Sequence, residues 1–197
     1  MCLLIKADAG QIIPKEHLKN GWRENPHGAG FAFAKDGKVL VRKGFRRFKD
    51  FWRTYRDFQQ YPKIVHLRYG NVGSLSMDNC HPFQVDSDLV FAHNGTISIT
   101  STRKDLHGQW SDTRIFNELI LKDLRKRDKN FLENSSWRWM LSNSIGYSKL
   151  VFLDSEGKFT IINKSMGELD TETGIWYSNK DYLAKPTHKY AQTTFAS

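Results

Sequence analysis

The chain contains two pairs of short apolar segments, each pair joined by an acidic residue followed by glycine. The segments 31–34 and 38–41 flank Asp36-Gly37, and the segments 149–153 and 158–162 flank Glu156-Gly157. An Asp-Gly dipeptide suits the type I′ turn of a β-hairpin, because that turn needs positive φ at both central residues. The sequence therefore predicts hairpins, and hence antiparallel β-sheet, in both halves of the chain.

Helical patterns lie between the predicted strands. Aromatic residues recur at helical spacing in one segment, at Phe48, Phe51, Trp52, Tyr55 and Phe58. Basic residues occupy the other face, which is typical of an amphipathic helix packed on a core. Two more helices are predicted around residues 115–124 and 131–141, and the polar segment up to Glu24 is a loop or a short helix. Further strands are expected at residues 2–7, 63–67, 89–93 and 175–178.

Composition and charge limit the class of protein. The 197 residues carry 30 Lys and Arg against 21 Asp and Glu, a net charge of +9, which permits an anionic partner without requiring one. Basic and aromatic residues interleave between 42 and 56, but their helical pattern favours a solvated helix face over a nucleic-acid site. We expect one domain covering residues 1–197, with an irregular tail from about residue 185.

The two cysteines, Cys2 and Cys80, are too few for a disulfide scaffold. No CxxC or HExxH pattern indicates a metal site, and neither a metal nor a cofactor is expected. The sequence shows no secretory signal and no apolar run approaching about 18 residues, which favours a cytoplasmic protein without a membrane segment.

Cys2 supports two interpretations. It precedes the apolar run Leu3-Leu4-Ile5, and a free cysteine there can simply be a small buried side chain that opens a strand. Removal of Met1 would instead leave a thiol and a free α-amino group on one residue. An α-amino group titrates near pH ~7.7–8.0, so part of it is unprotonated at neutral pH and can accept the proton of the thiol.

Two other sites are equally ambiguous when taken alone. Asn94-Gly95 is the strongest short signal for a hairpin turn, but a carboxamide and an adjacent backbone N–H are also two donors suited to an oxyanion. Asp112 lies at the start of a predicted helix, where an acidic residue is common as a cap or in the first turn.

Six short motifs occur along the chain: Met1-Cys2, NPHGAG at 25–30, HLRYG at 66–70, NCHPF at 79–83, HNGTI at 93–97 and SDT at 111–113. In this order and at this approximate spacing they resemble the motif series of class II glutamine amidotransferases, from Cys2 to about Leu124. Members of that family are N-terminal nucleophile hydrolases. The resemblance implies an α+β protein with a four-layer αββα sandwich.

The resemblance also implies roles for particular residues. Cys2 would be the nucleophile, with its own amino group as base, and Asn94 with the Gly95 N–H would form the oxyanion hole. Arg68 would bind the α-carboxylate of the substrate and Asp112 its α-ammonium group, which positions the side-chain amide against sulfur. His81 would lie at the substrate site as a structural member of its motif, as His66 and His93 would, rather than as a proton shuttle.

Some positions depart from the family pattern beside the expected pocket. His27 stands where the family has aspartate, Ala29 where a larger apolar residue is usual, and Gly70-Asn71 where Ala-Thr is common.

The resemblance leads us to expect hydrolysis of the amide of glutamine or of a related γ-glutamyl amide. The chain would be either an ammonia-supplying subunit for a separate synthase or an independent hydrolase. The alternative is a catalytically silent, basic binding module for nucleic acid or protein on the same fold.

Overall fold

Two antiparallel β-sheets form the centre of the protein. The computed structural model describes residues 2–70, 77–98, 105–106 and 109–185. One sheet has six strands in the order β3-β2-β4-β1-β10-β9: β1 (Leu3–Ala7), β2 (Ala29–Lys35), β3 (Lys38–Phe45), β4 (Lys63–Leu67), β9 (Glu168–Leu169) and β10 (Trp176–Tyr177). The other has four in the order β5-β6-β7-β8: β5 (Phe83–Gln84), β6 (Leu89–Asn94), β7 (Lys149–Asp154) and β8 (Phe159–Ile162).

Helices cover the outer face of each sheet. Helices α1 (Lys15–Glu24) and α2 (Phe48–Tyr55) lie on the six-stranded sheet. On the four-stranded sheet, α3 (Asp112–Phe116), a π-helical turn (Asn117–Leu121) and α4 (Lys122–Arg127) run continuously, followed by α5 (Ser135–Ile145). None of the described helices has the length and apolar character needed to cross a membrane.

Three buried apolar clusters hold these layers together. The cluster between the sheets includes Leu4 and Ala32 from one sheet and Val90 and Val151 from the other. A second cluster joins the six-stranded sheet to α1 and α2, and a third joins the four-stranded sheet to α3, α4 and α5. Because each sheet buries one face against the other sheet and one against helices, the predicted four-layer αββα arrangement is confirmed.

The predicted hairpins are present. Asp36 and Gly37 have φ values of 50° and 70°, and Lys35 pairs with Lys38, as a two-residue turn requires. Glu156-Gly157 lies in the turn between β7 and β8. Asn94-Gly95, by contrast, joins no pair of strands, because β6 pairs with β5 and with the distant β7. Tertiary packing overrides the local hairpin signal at this position.

The predicted helix at 131–141 is displaced towards the C-terminus, to α5 (Ser135–Ile145). Asn134 caps it, since its side chain accepts a hydrogen bond from the Ser136 N–H at 2.9 Å. Phe131 lies in the preceding turn but is fully buried. Its position in the sequence fits the helical pattern, although the residue lies outside the helix. Asn71 and the tail after residue 185 lie outside the described residues.

Strand register brings the ends of three strands to one edge of the six-stranded sheet. Leu3 at the start of β1 pairs with Leu67 at the end of β4, and Leu67 also pairs with Ala29 at the start of β2. The residues just beyond these ends, Cys2, Arg68 and the 25–28 turn, are therefore neighbours. The candidate site lies where these ends of β1, β2 and β4 come together.

Candidate active site

The backbone of Tyr69 holds the sulfur of Cys2. The Tyr69 N–H donates to Cys2 Sγ at 3.3 Å, and the thiol lies 3.4 Å from the Tyr69 carbonyl oxygen. Burial raises the pKa of the Cys2 thiol, while the Tyr69 hydrogen bond and the charge of Arg68 lower it and Asp112 raises it. Burial has the largest effect, so the sulfur is a protonated thiol at neutral pH and needs a base to become a nucleophile.

Two carboxamides hold the main chain of Cys2. The side-chain NH₂ groups of Asn94 and Asn179 both donate to the Cys2 carbonyl oxygen, the latter at 2.8 Å. Asn94 is 1% exposed and ends β6, so its position is set by the sheet. A carboxamide nitrogen has two hydrogens, and only one of them is needed for the Cys2 carbonyl. Asn179 had no recognisable signal in the sequence.

Gly95 is required by its surroundings. Its φ of 135° is unfavourable for other residues, and an added Cβ would lie 2.2 Å from Ser148 Oγ. The same hydroxyl accepts from the Thr96 N–H at 3.0 Å and donates to the Thr96 carbonyl at 3.0 Å. Ser148 therefore fixes the backbone that follows Asn94, including the Gly95 N–H.

Two opposite charges lie near the thiol. Arg68 is 5% exposed and Asp112 is 8% exposed, and both influence the pKa of Cys2. Asp112 Oδ2 accepts from the Ile97 N–H at 2.8 Å, and its Oδ1 accepts from the Thr113 N–H at 2.7 Å. A carboxylate offers about four acceptor positions, so Asp112 retains capacity for a further donor.

Three buried histidines, His66, His81 and His93, line the same cavity as the thiol. The rings of His66 and His81 are 4.0 Å apart between centroids. Burial lowers the pKa of His66 to about 3 and that of His93 to about 4, and it also lowers the pKa of His81. All three are therefore neutral near pH 7. In the described part of the chain, no group of His, Cys, Asp and Glu side chains is arranged to hold a metal ion.

One histidine is linked to Asp112 through a threonine. His93 Nδ1 lies 2.8 Å from Thr113 Oγ1, and the Thr113 hydroxyl donates to Asp112 Oδ1 at 3.2 Å. Because the hydroxyl hydrogen is directed to the carboxylate, Thr113 must accept from His93, which places a hydrogen on His93 Nδ1. The chain of hydrogen bonds fixes both the imidazole and the carboxylate.

A single cavity of about 70 Å³ brings these groups together. Five of the sequence-predicted site residues line it: Cys2, Arg68, His81, Gly95 and Asp112. The sixth, Asn94, contacts Cys2 directly. Further lining residues that received no role from the sequence are Tyr69, Gly70, Asn79, Thr96, Ser111 and Thr113. Most of them flank a predicted site residue in the chain, so the motifs located them without revealing what they do.

Comparison with protein families assigns residues 28–143 to the family described as class II glutamine amidotransferases. The matched segment covers more than half of the chain, and the chain therefore belongs to that family. The expectation of a domain from this enzyme family is confirmed by this assignment.

Known proteins agree with the family. An amidophosphoribosyltransferase of Methanocaldococcus jannaschii is 26% identical over 111 residues, which cover 50% of this chain and 24% of that protein. The structure of glutamine phosphoribosylpyrophosphate amidotransferase from B. subtilis matches with a TM-score of 0.54 and 16% identity, over 90% of this chain and 41% of that one. This likeness confirms the fold of N-terminal nucleophile hydrolases. The chain matches only about a quarter of the length of the M. jannaschii protein.

Proposed function

We propose that this chain hydrolyses the side-chain amide of glutamine, or of a related γ-glutamyl amide, with Cys2 as the nucleophile after removal of Met1. The observation that carries the proposal is the convergence of Cys2, Arg68 and Asp112 on one cavity. Glutamine has a carboxylate and an ammonium group at one end and a carboxamide at the other. A guanidinium, a carboxylate and a thiol in one cavity match those three groups.

The reaction begins with proton transfer from the thiol to the free α-amine of Cys2. The sulfur attacks the amide carbon, and negative charge develops on the amide oxygen, where Asn94 Nδ2 and the Gly95 N–H are the proposed donors. The resulting ammonium group of Cys2 protonates the leaving nitrogen, and the C–N bond breaks to give ammonia and a thioester. Water, deprotonated by the same amine, then releases the glutamyl product and restores the thiol.

The far end of the substrate would be held by two charged groups. Arg68 presents a planar fork of donors that matches a carboxylate, and Asp112 has an acceptor position for the ammonium group. Binding at these groups places the amide against sulfur and so replaces a bimolecular encounter by a reaction within one complex.

The histidines have a structural role in this proposal. Burial holds the pKa of His66 and His93 far below neutrality, so neither can carry a proton to and from the reaction near pH 7. His81 lines the cavity and also accepts from the His93 N–H at 3.4 Å. We infer that His81 has two structural roles: it shapes the substrate site, and it makes a hydrogen bond to β6.

We further propose that residues 1–197 form one domain, because a single apolar cluster includes both Leu3 and Tyr182. The ammonia has two possible destinations, a separate synthase that receives it or solvent. Because the relatives are named amidotransferases, we favour transfer of the ammonia to an acceptor over its release into solvent. A cytoplasmic location is proposed from the sequence features alone.

The test is release of glutamate and ammonia from glutamine by the purified, Met1-processed protein. Cys2→Ala should abolish release without loss of the fold, measured by circular dichroism. The matched control is Cys80→Ala, since Cys80 is the other cysteine and does not line the cavity. An inactive Cys80 variant beside an active Cys2 variant would refute the proposal, and γ-glutamyl amides assayed in parallel identify the preferred substrate.

A further inference from the structure

His27 contacts the segment that touches the nucleophile. Its Nδ1 accepts a hydrogen bond from the Gly70 N–H at 2.9 Å. Its ring packs on the ring of Tyr69, with centroids 4.9 Å apart and planes inclined by 35°. The side chain is exposed, so burial in a core does not account for these contacts. They attach His27 to the two residues that follow Arg68.

The main chain places His27 firmly against this segment. The His27 N–H donates to the Arg68 carbonyl at 3.0 Å, and the Arg68 N–H donates to the Gly28 carbonyl at 2.8 Å. The imidazole adds a third hydrogen bond further along the chain, at Gly70. Tyr69 lies between the two attached residues, Arg68 and Gly70, and its N–H and carbonyl contact Cys2 Sγ.

The geometry points to His27 as a positioning residue for the Cys2 thiol. Its Nδ1 lone pair holds the Gly70 N–H, and this hydrogen bond keeps the Tyr69 N–H directed at the sulfur. His27 itself is not one of the residues that line the cavity, and it acts on the sulfur only through Tyr69 and Gly70. This inference rests on the proposed function, because positioning matters only if Cys2 is the nucleophile.

The identity of the acceptor has an electrostatic consequence. The resemblance to the family places an aspartate at this position, and an aspartate could also accept the Gly70 N–H. A carboxylate there would add a negative charge close to the thiol, and a nearby negative charge opposes formation of thiolate. A neutral imidazole supplies the hydrogen bond without that charge. Tyr69 and Arg68 are the titratable residues that contact His27 in the described part of the chain, and Tyr69 in turn contacts Cys2.

Two variants separate the hydrogen bond from the ring. His27→Asn keeps an acceptor, because the carboxamide oxygen of asparagine lies as many bonds from Cα as Nδ1 does. His27→Ala removes the acceptor and the ring together. As a control, His17→Ala removes a histidine that binds the Tyr177 hydroxyl at 2.8 Å and does not line the cavity. All variants are made in the processed full-length protein, and thermal melting establishes that each is folded.

Two measurements report on positioning. The first is kcat and KM for glutamine, and the second is the pH midpoint for alkylation of Cys2 by iodoacetamide, followed peptide by peptide with mass spectrometry. His27→Ala should lower kcat about fivefold to tenfold with little change in KM, a loss of the size that one hydrogen bond supplies. It should also raise the alkylation midpoint, because the Tyr69 N–H stabilises the thiolate. His27→Asn should have a kcat within about twofold of the native value and the same alkylation midpoint as the native protein.

The outcomes are distinguishable. An alanine variant with the native kcat and the native midpoint would overturn the inference, as would equal impairment of the alanine and asparagine variants. If the native protein does not hydrolyse glutamine but the alkylation midpoint still rises in His27→Ala and not in His27→Asn, the proposed function fails and the positioning of the thiol by His27 stands.

Discussion

The carboxylate of Asp112 accepts a hydrogen bond from the Ile97 N–H at 2.8 Å. Asp112 begins α3, whereas Ile97 follows the turn at Asn94-Gly95, so the bond joins two elements that are separate in sequence. In the proposed mechanism, Asp112 binds the ammonium end of the substrate and Asn94-Gly95 binds the developing oxyanion. The hydrogen bond therefore ties the two ends of the substrate site to each other.

Asp112→Asn should weaken glutamine use through KM. The variant keeps an oxygen that can accept from Ile97 or Thr113 but loses the charge that would attract an ammonium group. A hydrogen bond to a charged group contributes about 1.5–3 kcal/mol, so kcat/KM should fall roughly tenfold to 150-fold. Steady-state kinetics with glutamine measures this.

The control for this substitution is Asp123→Asn on α4, where an exposed carboxylate pairs with Arg127 at 2.7 Å. Exposed ion pairs of this kind contribute about 0–1 kcal/mol to stability, and kinetics should be unchanged. An Asp112→Asn enzyme with native kcat/KM would contradict the assignment of Asp112 to the ammonium group.

Asn94→Ala should reduce kcat. The substitution removes a donor aimed at developing charge, a loss that typically lowers turnover roughly 10²-fold to 10³-fold. It also removes a hydrogen bond to the Cys2 carbonyl, and Asn179→Ala removes only a bond of that kind. Asn179→Ala should therefore cost less than about tenfold, the value of one neutral hydrogen bond. Equal losses in the two variants would mean that Asn94 merely holds the backbone of Cys2.

Acid should destabilise the protein at pH values where most carboxylates are still ionised. Burial lowers the pKa of His66 to about 3 and of His93 to about 4, and lowers that of His81 as well. In the unfolded chain a histidine titrates near pH ~6.5, so the unfolded state binds more protons below that pH. The stabilisation is complete above pH ~6.5 and is lost as the pH falls towards the folded-state values.

Each of these histidines contributes at most about 1.4 kcal/mol per pH unit to this loss. Urea unfolding measured at pH 7.5, 6 and 5 provides the test, with the free energy of unfolding expected to fall steadily below about pH 6.5. A free energy of unfolding that stays constant from pH 7.5 to pH 5 would show that the three imidazoles are accessible to protons in the folded protein.

Local signals in the sequence were sufficient for part of the fold. The strand at 63–67 was predicted at its observed bounds, β4 (Lys63–Leu67), because the β-branched residues Ile64 and Val65 favour a strand. The hairpin at Asp36-Gly37 was predicted because its turn geometry depends only on two adjacent residues. The two-residue strands β5 and β9 were not predicted, since segments of that length carry no periodicity.

Contacts between distant residues account for what the sequence did not reveal at the site. Asn179 binds the carbonyl of Cys2 across nearly the whole length of the chain, and no local pattern encodes such a pair. Asn94-Gly95 has the composition of a hairpin turn, yet Ser148 holds the backbone beyond it in another path. The residue types at the site were recognisable from the motifs, whereas the bonds that position them depend on the tertiary structure.

The central claim is that Cys2 becomes reactive when its α-amine is released. While Met1 is attached, the nitrogen of Cys2 is a peptide amide and cannot act as a base near neutral pH. The partly buried thiol, with its raised pKa, then has no base on its own residue to accept its proton.

Intact-protein mass spectrometry before and after treatment with a diazoketone analogue of glutamine tests this claim most directly. The processed protein should lack Met1 and gain one adduct, which peptide mapping locates at Cys2, while a protein with an uncleavable N-terminal tag stays folded and unlabelled. An adduct at Cys80, or equal labelling of tagged and processed protein, would contradict the assignment of Cys2 as an N-terminal nucleophile.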